Sequence, residues 1–257
     1  MSASHRQLFD DLVEAANFTP LEGWDFSFLN GRTLGGSLPW DYQQIASGLV
    51  FSAHRTLDID TGGGEIFASF KPPRGSVAVE PYKPNLPVST QRLEALGVEV
   101  RERTSELLPA DDASFDLVLN RHGYLNLDEF YRVLIPGGKL LTQQVGGRND
   151  IEFNEALGIP ASVISSAPVN AQDLRDTLTR AGFVNCQVSE ANISTRFLDV
   201  GAVVYQLRAI PWQAPGFDAV VHREHLWRIH EHIAKTGRFE VRSQRFLIRA
   251  DKPVEAV

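Results

Sequence analysis

The chain has 257 residues, 43% of them hydrophobic and 22% charged, with a net charge of -7; fibrous and disordered classes are excluded, and one large α/β domain, with or without a cap, is expected. No run of Lys or Arg exceeds a pair, so a nucleic-acid footprint, which relies on clustered cations, is not expected. The single Cys186 leaves no internal disulfide, no stretch approaches the roughly 18 apolar residues of a bilayer span, and the polar start after Met1 lacks a secretory pattern; the expectation is a soluble, cytoplasmic protein without a membrane partner.

Residues 5 to 17, HRQLFDDLVEAAN, set Leu8, Phe9, Leu12, Val13 and Ala16 at helical spacing. The segment that follows is rich in Gly, Pro and aromatics, including Trp24, Phe26, Phe28 and Trp40. It reads as a lid over a ligand or as a loop whose rings pack on the domain. From Arg55 onward apolar strand-like runs (TLDI, SVAVE, VEVRE, SFDLVLN, GKLLTQQV) alternate with helical ones. Such alternation predicts a doubly wound, mostly parallel sheet with helices on both faces. AQDLRDTLTRAG predicts a helix stopped by Gly182, and FVNCQVSEANI a strand. DVGAVVYQLRAI and AVVHREHLWRIHEHIA predict two helices inserted before a last strand, FEVRSQRFLIRADKP. The expected organisation is one domain: residues 1–50 a helix and lid, 51–195 a ligand-binding core, 196–238 a helical cap, and 239–257 the final strand and tail.

In an open parallel sheet ligands bind beyond the carboxyl ends of the strands, where strand order reverses. LDIDTGGGE, residues 57–65, follows the first strand of the series. Gly62, Gly63 and Gly64 permit a tight turn with amides open to a ligand. A dinucleotide fingerprint counted from Gly62 needs a third glycine where Phe67 stands, and Glu65 adds negative charge where a pyrophosphate would lie. A ligand without phosphates at that turn is favoured over NAD. Glu80 ends the next strand, 18 residues after Gly62, where a carboxylate can accept from two ribose hydroxyls; the competing reading is an exposed glutamate before Pro81.

LDIDTGGGE, SVAVEP, LLPADDASFDLVLNRH, EFYRVLIPGGKLLTQQVG and AGF, taken together and in order, resemble the successive motifs of class I S-adenosylmethionine-dependent methyltransferases, in particular the small-molecule branch akin to ubiquinone-biosynthesis enzymes. The resemblance covers roughly residues 50–190. It implies a Rossmann-like sheet of seven strands with the last antiparallel, and S-adenosyl-L-methionine as cofactor. It also implies that Asp58 and the backbone at Gly62 and Gly64 surround the methionine part, with Thr61 a further cofactor-binding residue, that Glu80 holds the ribose, and that the Asn120 carbonyl meets the methionine amine. Two departures stand out. Asp60 replaces the first glycine of the family's G-x-G-x-G, and its carboxylate is expected either to pair with the cationic cofactor or to weaken its binding. Thr104 and Ser105 stand where the family has an acidic and a small residue against adenine.

A sulfonium methyl needs little acid-base help, so the protein mainly positions an acceptor and excludes water. For a hydroxyl acceptor a base is useful, and His122, two residues past Asn120, is the candidate; its competing role is a surface or capping histidine. Gln143 and Gln144 end the strand GKLLTQQV and point to opposite faces, one of them toward a substrate or both toward loop backbone. Tyr42, Arg208 and Trp212 are the further candidates for the acceptor pocket, in an aromatic-walled chamber or as plain core. His222, His225, His230 and His232 do not converge at helical spacing, which predicts no metal site and a solvated helix face. The function expected is transfer of a methyl group to an oxygen or nitrogen of a small molecule; the alternative is a regulatory protein that binds the cofactor without turning it over.

Overall fold

The structure, a computed structural model, describes residues 3–21, 25–159 and 170–254; Trp24 lies outside them. The chain divides into two compact units. The larger comprises residues 39–145, 168–190 and 245–257, the smaller residues 1–38, 146–167 and 191–244. These units cut across the sequence subdivision: the helix that begins at Tyr42 belongs with the core rather than with the lid, and residues 146–167 go with the segments flanking the cap.

The larger unit is built on parallel strands β2 (Thr56–Ile59), β3 (Val77–Glu80), β4 (Glu99–Glu102), β5 (Phe115–Arg121) and β6 (Leu134–Val145). With parts of β7 (Val184–Phe197) and β8 (Phe239–Asp251), the order is β7-β8-β6-β5-β2-β3-β4. β8 runs antiparallel to β6 in the register Lys139↔Asp251 to Val145↔Arg245. This is the expected seven-stranded Rossmann-like arrangement with an antiparallel strand at its end of the chain. IPGG, residues 135–138, is looped out within β6: the register with β5 jumps from Phe115↔Leu134 to Leu117↔Lys139.

Alternation of side chains divides this sheet into two buried faces. Leu57, Ile59, Val79, Val118 and Leu140 pack with Phe130 and Val133 of α5 (Leu127–Val133) and with Leu174 and Leu178 of α7 (Ala171–Arg180). Leu117, Leu119, Leu141 and Leu247 face the other way, onto Tyr42, Ala46 and Val50 of α2 (Tyr42–Ser52), Phe67 of α3 (Glu65–Ser69) and Leu93 of α4 (Leu86–Glu94). Asp41 starts α2 by accepting the Gln44 amide at 3.0 Å, a side-chain cap on a donor the helix leaves free. β2 lies between β3 and β5, so the chain runs outward in both directions from there, and the crevice for a ligand opens where Ile59 and Asn120 end paired strands.

The smaller unit packs α1 (Ala3–Phe18), α6 (Ile151–Leu157), α8 (Val200–Ala209) and α9 (Arg223–Thr236) around Phe9, Phe153, Val203, Tyr205 and Trp227. β1 (Thr33–Gly35), unanticipated in the glycine-rich segment, pairs antiparallel with Thr195–Phe197 of β7. The solvated reading of the α9 histidines fails at His230, which is 5% exposed; its ring lies 4.5 Å from that of His5 and 5.5 Å from those of Phe9 and Trp227. It sits three and four positions from Trp227 and Leu226, on the apolar stripe of the helix. No helix among the described residues is long and apolar enough to cross a membrane.

Candidate active site

At the end of β2 the chain turns through Asp60 at φ 58, Gly62 at φ 64 and Gly64 at φ 77, all in the left-handed region. A Cβ on Gly64 would meet Leu93 at 3.0 Å, so both angle and space call for glycine there. Asp60 holds the same region by side-chain bonding. One carboxylate oxygen accepts from Arg103 Nη2 at 3.0 Å, and the other accepts the Tyr124 amide at 2.7 Å. The carboxylate expected to face a ligand cation is therefore committed to the protein's own donors.

Glu80, at the tip of β3, is 3% exposed, so the exposed-glutamate reading is set aside. Its Oε2 accepts the Gly62 amide at 2.6 Å and its Oε1 the Tyr82 amide at 2.8 Å. Burial raises its pKa, while those two amides act in the opposite sense. Each carboxylate oxygen keeps a lone pair beyond its amide bond. The hydroxyl of Thr61, in the same turn, is buried and lies close enough to the Asp58 carboxylate to favour its charged form. On the α2 face of β2, burial first, then the charges of Asp60 and Glu80, push Asp58 up to about 7. Burial and the charge of Asp58 likewise push the Tyr42 phenol above its ordinary range. The guanidinium of Arg121 opposes both shifts, and it makes no hydrogen bond or ion pair among the described residues.

The two glutamines do point apart, and each finds side-chain partners rather than loop backbone. On the α5/α7 face, Asn120 Nδ2 donates to the Ile59 carbonyl at 3.2 Å, bridging β5 and β2 across the crevice. Asn120 Oδ1 accepts from Thr142 Oγ1 at 3.1 Å and from Gln144 Nε2. Gln144 is 6% exposed and consumed by this polar knot. On the α2 face, Gln143 Oε1 accepts from Trp40 Nε1 at 2.8 Å, and Gln143 Nε2 lies 2.8 Å from His122 Nε2. His122, at φ 59, directly follows β5 and is exposed as a residue. Crowding by protein, then the guanidiniums of Arg245 and Arg121, lower its pKa, which leaves it neutral at pH 7 and a weak base.

Thr104 and Ser105 are exposed, and the Ser105 hydroxyl accepts the Leu107 amide at 3.3 Å. Arg208 and Trp212 belong to the smaller unit. Arg208 is not free for an acceptor: Nη1 donates to the carbonyls of Ala16 and, at 3.0 Å, Thr19, satisfying the last turn of α1. Trp212 is 58% exposed. Sequence reasoning missed Arg103, Arg121 and Tyr124. Arg121 directly follows the strand-ending Asn120, on the same face as Leu117 and Leu119, which was the available signal.

Residues 57–142 match the family model described as a methyltransferase domain. That segment is similar to the domain of class I S-adenosylmethionine-dependent methyltransferases. A demethylmenaquinone methyltransferase of Thermus thermophilus is 33% identical over 121 residues, which are 42% of this chain and 55% of the relative. A ubiquinone/menaquinone biosynthesis C-methyltransferase of Pseudoalteromonas translucida is 32% identical over 117 residues, 40% of this chain and 47% of the relative. The chain thus spans about half the length of the curated relatives it matches. The YcgJ protein of Bacillus subtilis superposes with a TM-score of 0.57 over 82% of this chain and 98% of that one at 18% identity, a likeness of fold.

Proposed function

We propose that the chain transfers the methyl group of S-adenosylmethionine to a small-molecule acceptor. The observation that carries this reading is the tie between Glu80 and the Gly62 amide at 2.6 Å, inside the matched methyltransferase segment. It holds a buried carboxylate in place at the mouth of the crevice with lone pairs to spare for the two hydroxyls of a ribose. The other groups suit the rest of the cofactor. The Thr61 hydroxyl, buried in the turn, acts on the Asp58 carboxylate and favours its charged form. Asp58 and the main-chain carbonyl of Asn120 would hold the amine, and Arg121 the carboxylate.

Bound there, the cofactor supplies a methyl group on a sulfonium, already activated for displacement. What remains for the protein is to hold the acceptor in line with that methyl and to keep water away. Tyr42, neutral and buried at the start of α2, and the Trp40–Gln143–His122 series line the α2 side of the crevice end. Oxygen and nitrogen acceptors are joined by carbon, since the Pseudoalteromonas relative is by name a C-methyltransferase. The test is incubation of the purified chain with methyl-labelled cofactor and a small-metabolite extract. Label entering the metabolite fraction is the expected result; saturable cofactor binding with no transfer would replace catalysis by binding alone.

A further inference from the structure

Trp40 stands just before α2, Gln143 near the end of β6 and His122 just past β5, in one hydrogen-bonded series with both links at 2.8 Å. The indole Nε1–H is only a donor. It can meet the Gln143 carbonyl oxygen but not the amide nitrogen, so Trp40 decides which way round the Gln143 side chain sits. The Gln143 amide nitrogen then faces His122, and an amide NH2 can only donate. His122 Nε2 must therefore be the bare, accepting nitrogen, and the proton of the neutral ring lies on Nδ1. Assignments of this kind are made from the network of partners, and here a donor-only group at one end leaves a single consistent arrangement. Protonating Nε2 would set two N–H groups against each other, so the series itself opposes the imidazolium.

We propose that Trp40, acting through Gln143, locks His122 as the Nδ1–H tautomer, so that His122 offers the acceptor a hydrogen-bond donor rather than a general base. Trp40 and Gln143 are positioning residues. Nδ1–H makes no hydrogen bond among the described residues, which leaves that donor for an oxygen lone pair, as on a carbonyl or an ionised hydroxyl. A hydroxyl acceptor has to arrive ionised or lose its proton elsewhere. The contact with the acceptor rests on the methyl-transfer reading; the tautomer does not.

The experiment is 15N NMR of the full chain labelled at histidine, with His122 assigned through a His122→Asn variant, at pH 7 and without cofactor or acceptor. The expected pattern for wild type is a protonated Nδ1 and a bare Nε2. Trp40→Phe frees the Gln143 amide to turn over, and both tautomers should then appear. Gln143→Glu puts an acceptor opposite Nε2 and should move the proton there or charge the ring. Circular dichroism checks that each variant is folded, and the wild-type and Trp40→Phe spectra decide the matter if Gln143→Glu does not fold. A wild-type proton on Nε2, or an unaltered pattern in Trp40→Phe, overturns the proposal and leaves methyl transfer untouched. A failure of label transfer beside the expected spectra overturns methyl transfer and leaves the tautomer standing.

Discussion

The carboxylate of Asp60 accepts a hydrogen bond from the guanidinium of Arg103 at 3.0 Å, between residues 43 positions apart in the chain. This pair stands where the family pattern has a glycine, and the side chains are only 13% and 15% exposed. Asp60→Gly would suit the left-handed angle but leave Arg103 without its carboxylate and the Tyr124 amide without its acceptor. Stability should fall by roughly 1–3 kcal/mol in denaturant titration, with no large gain in cofactor affinity. A tenfold gain in affinity would mark the native aspartate as a defect.

Glu80→Ala removes the acceptor of two amides together with the proposed ribose contact. Cofactor affinity measured by calorimetry should drop by about 1–3 kcal/mol, roughly fivefold to 150-fold. Glu80→Gln is the sharper variant, because its NH2 must oppose either the Gly62 or the Tyr82 amide. Unchanged affinity in both would refute the ribose assignment.

Asp58, raised to about 7 in the folded chain, ionises near 3.9 when unfolded. Between those values the folded state binds a proton that the unfolded state lacks, so this group makes stability fall as pH rises through the window and level off above it. A bound cation has the reverse preference and favours the carboxylate. Cofactor affinity should therefore rise as pH passes through about 7, with proton release visible as a buffer-dependent heat of binding. Asp58→Asn should abolish that release; equal heats in all buffers for wild type would sink the idea.

Arg208→Ala takes away the donor that serves the carbonyls of Ala16 and Thr19. We expect a loss of roughly 1–3 kcal/mol in thermal unfolding and cofactor affinity equal to wild type. A change in acceptor KM without a change in melting temperature would return Arg208 to the acceptor pocket.

The parallel sheet was legible in the sequence because apolar runs of strand length alternate with helical ones, and Gly62 with Glu80 was legible because both fall at strand tips 18 residues apart. The use made of individual polar side chains was not. Asp60 looked available because Arg103 lies on another strand tip, and Gln144 looked available because its partners Asn120 and Thr142 are assembled only when β5 and β6 pair. Arg208 looked like a pocket residue because a helix C-terminus nearly two hundred residues earlier in sequence announces no need for a donor. His230 was misplaced for a different reason: histidine is polar by composition, yet its helical phase put it among Trp227, Leu226 and Ile233.

The antiparallel pairing of β6 with residues 245–251 bears on how the chain matures during synthesis. Until those residues have left the ribosome, β6 offers the flank they will cover as an unpaired ladder, open to other chains. Translation has to pass through the α8 and α9 segments first, so the nascent protein carries this sticky margin for much of its elongation. Slow translation or a stall before residue 245 should favour aggregation, and a chaperone that shelters the β6 margin should raise the yield of native protein.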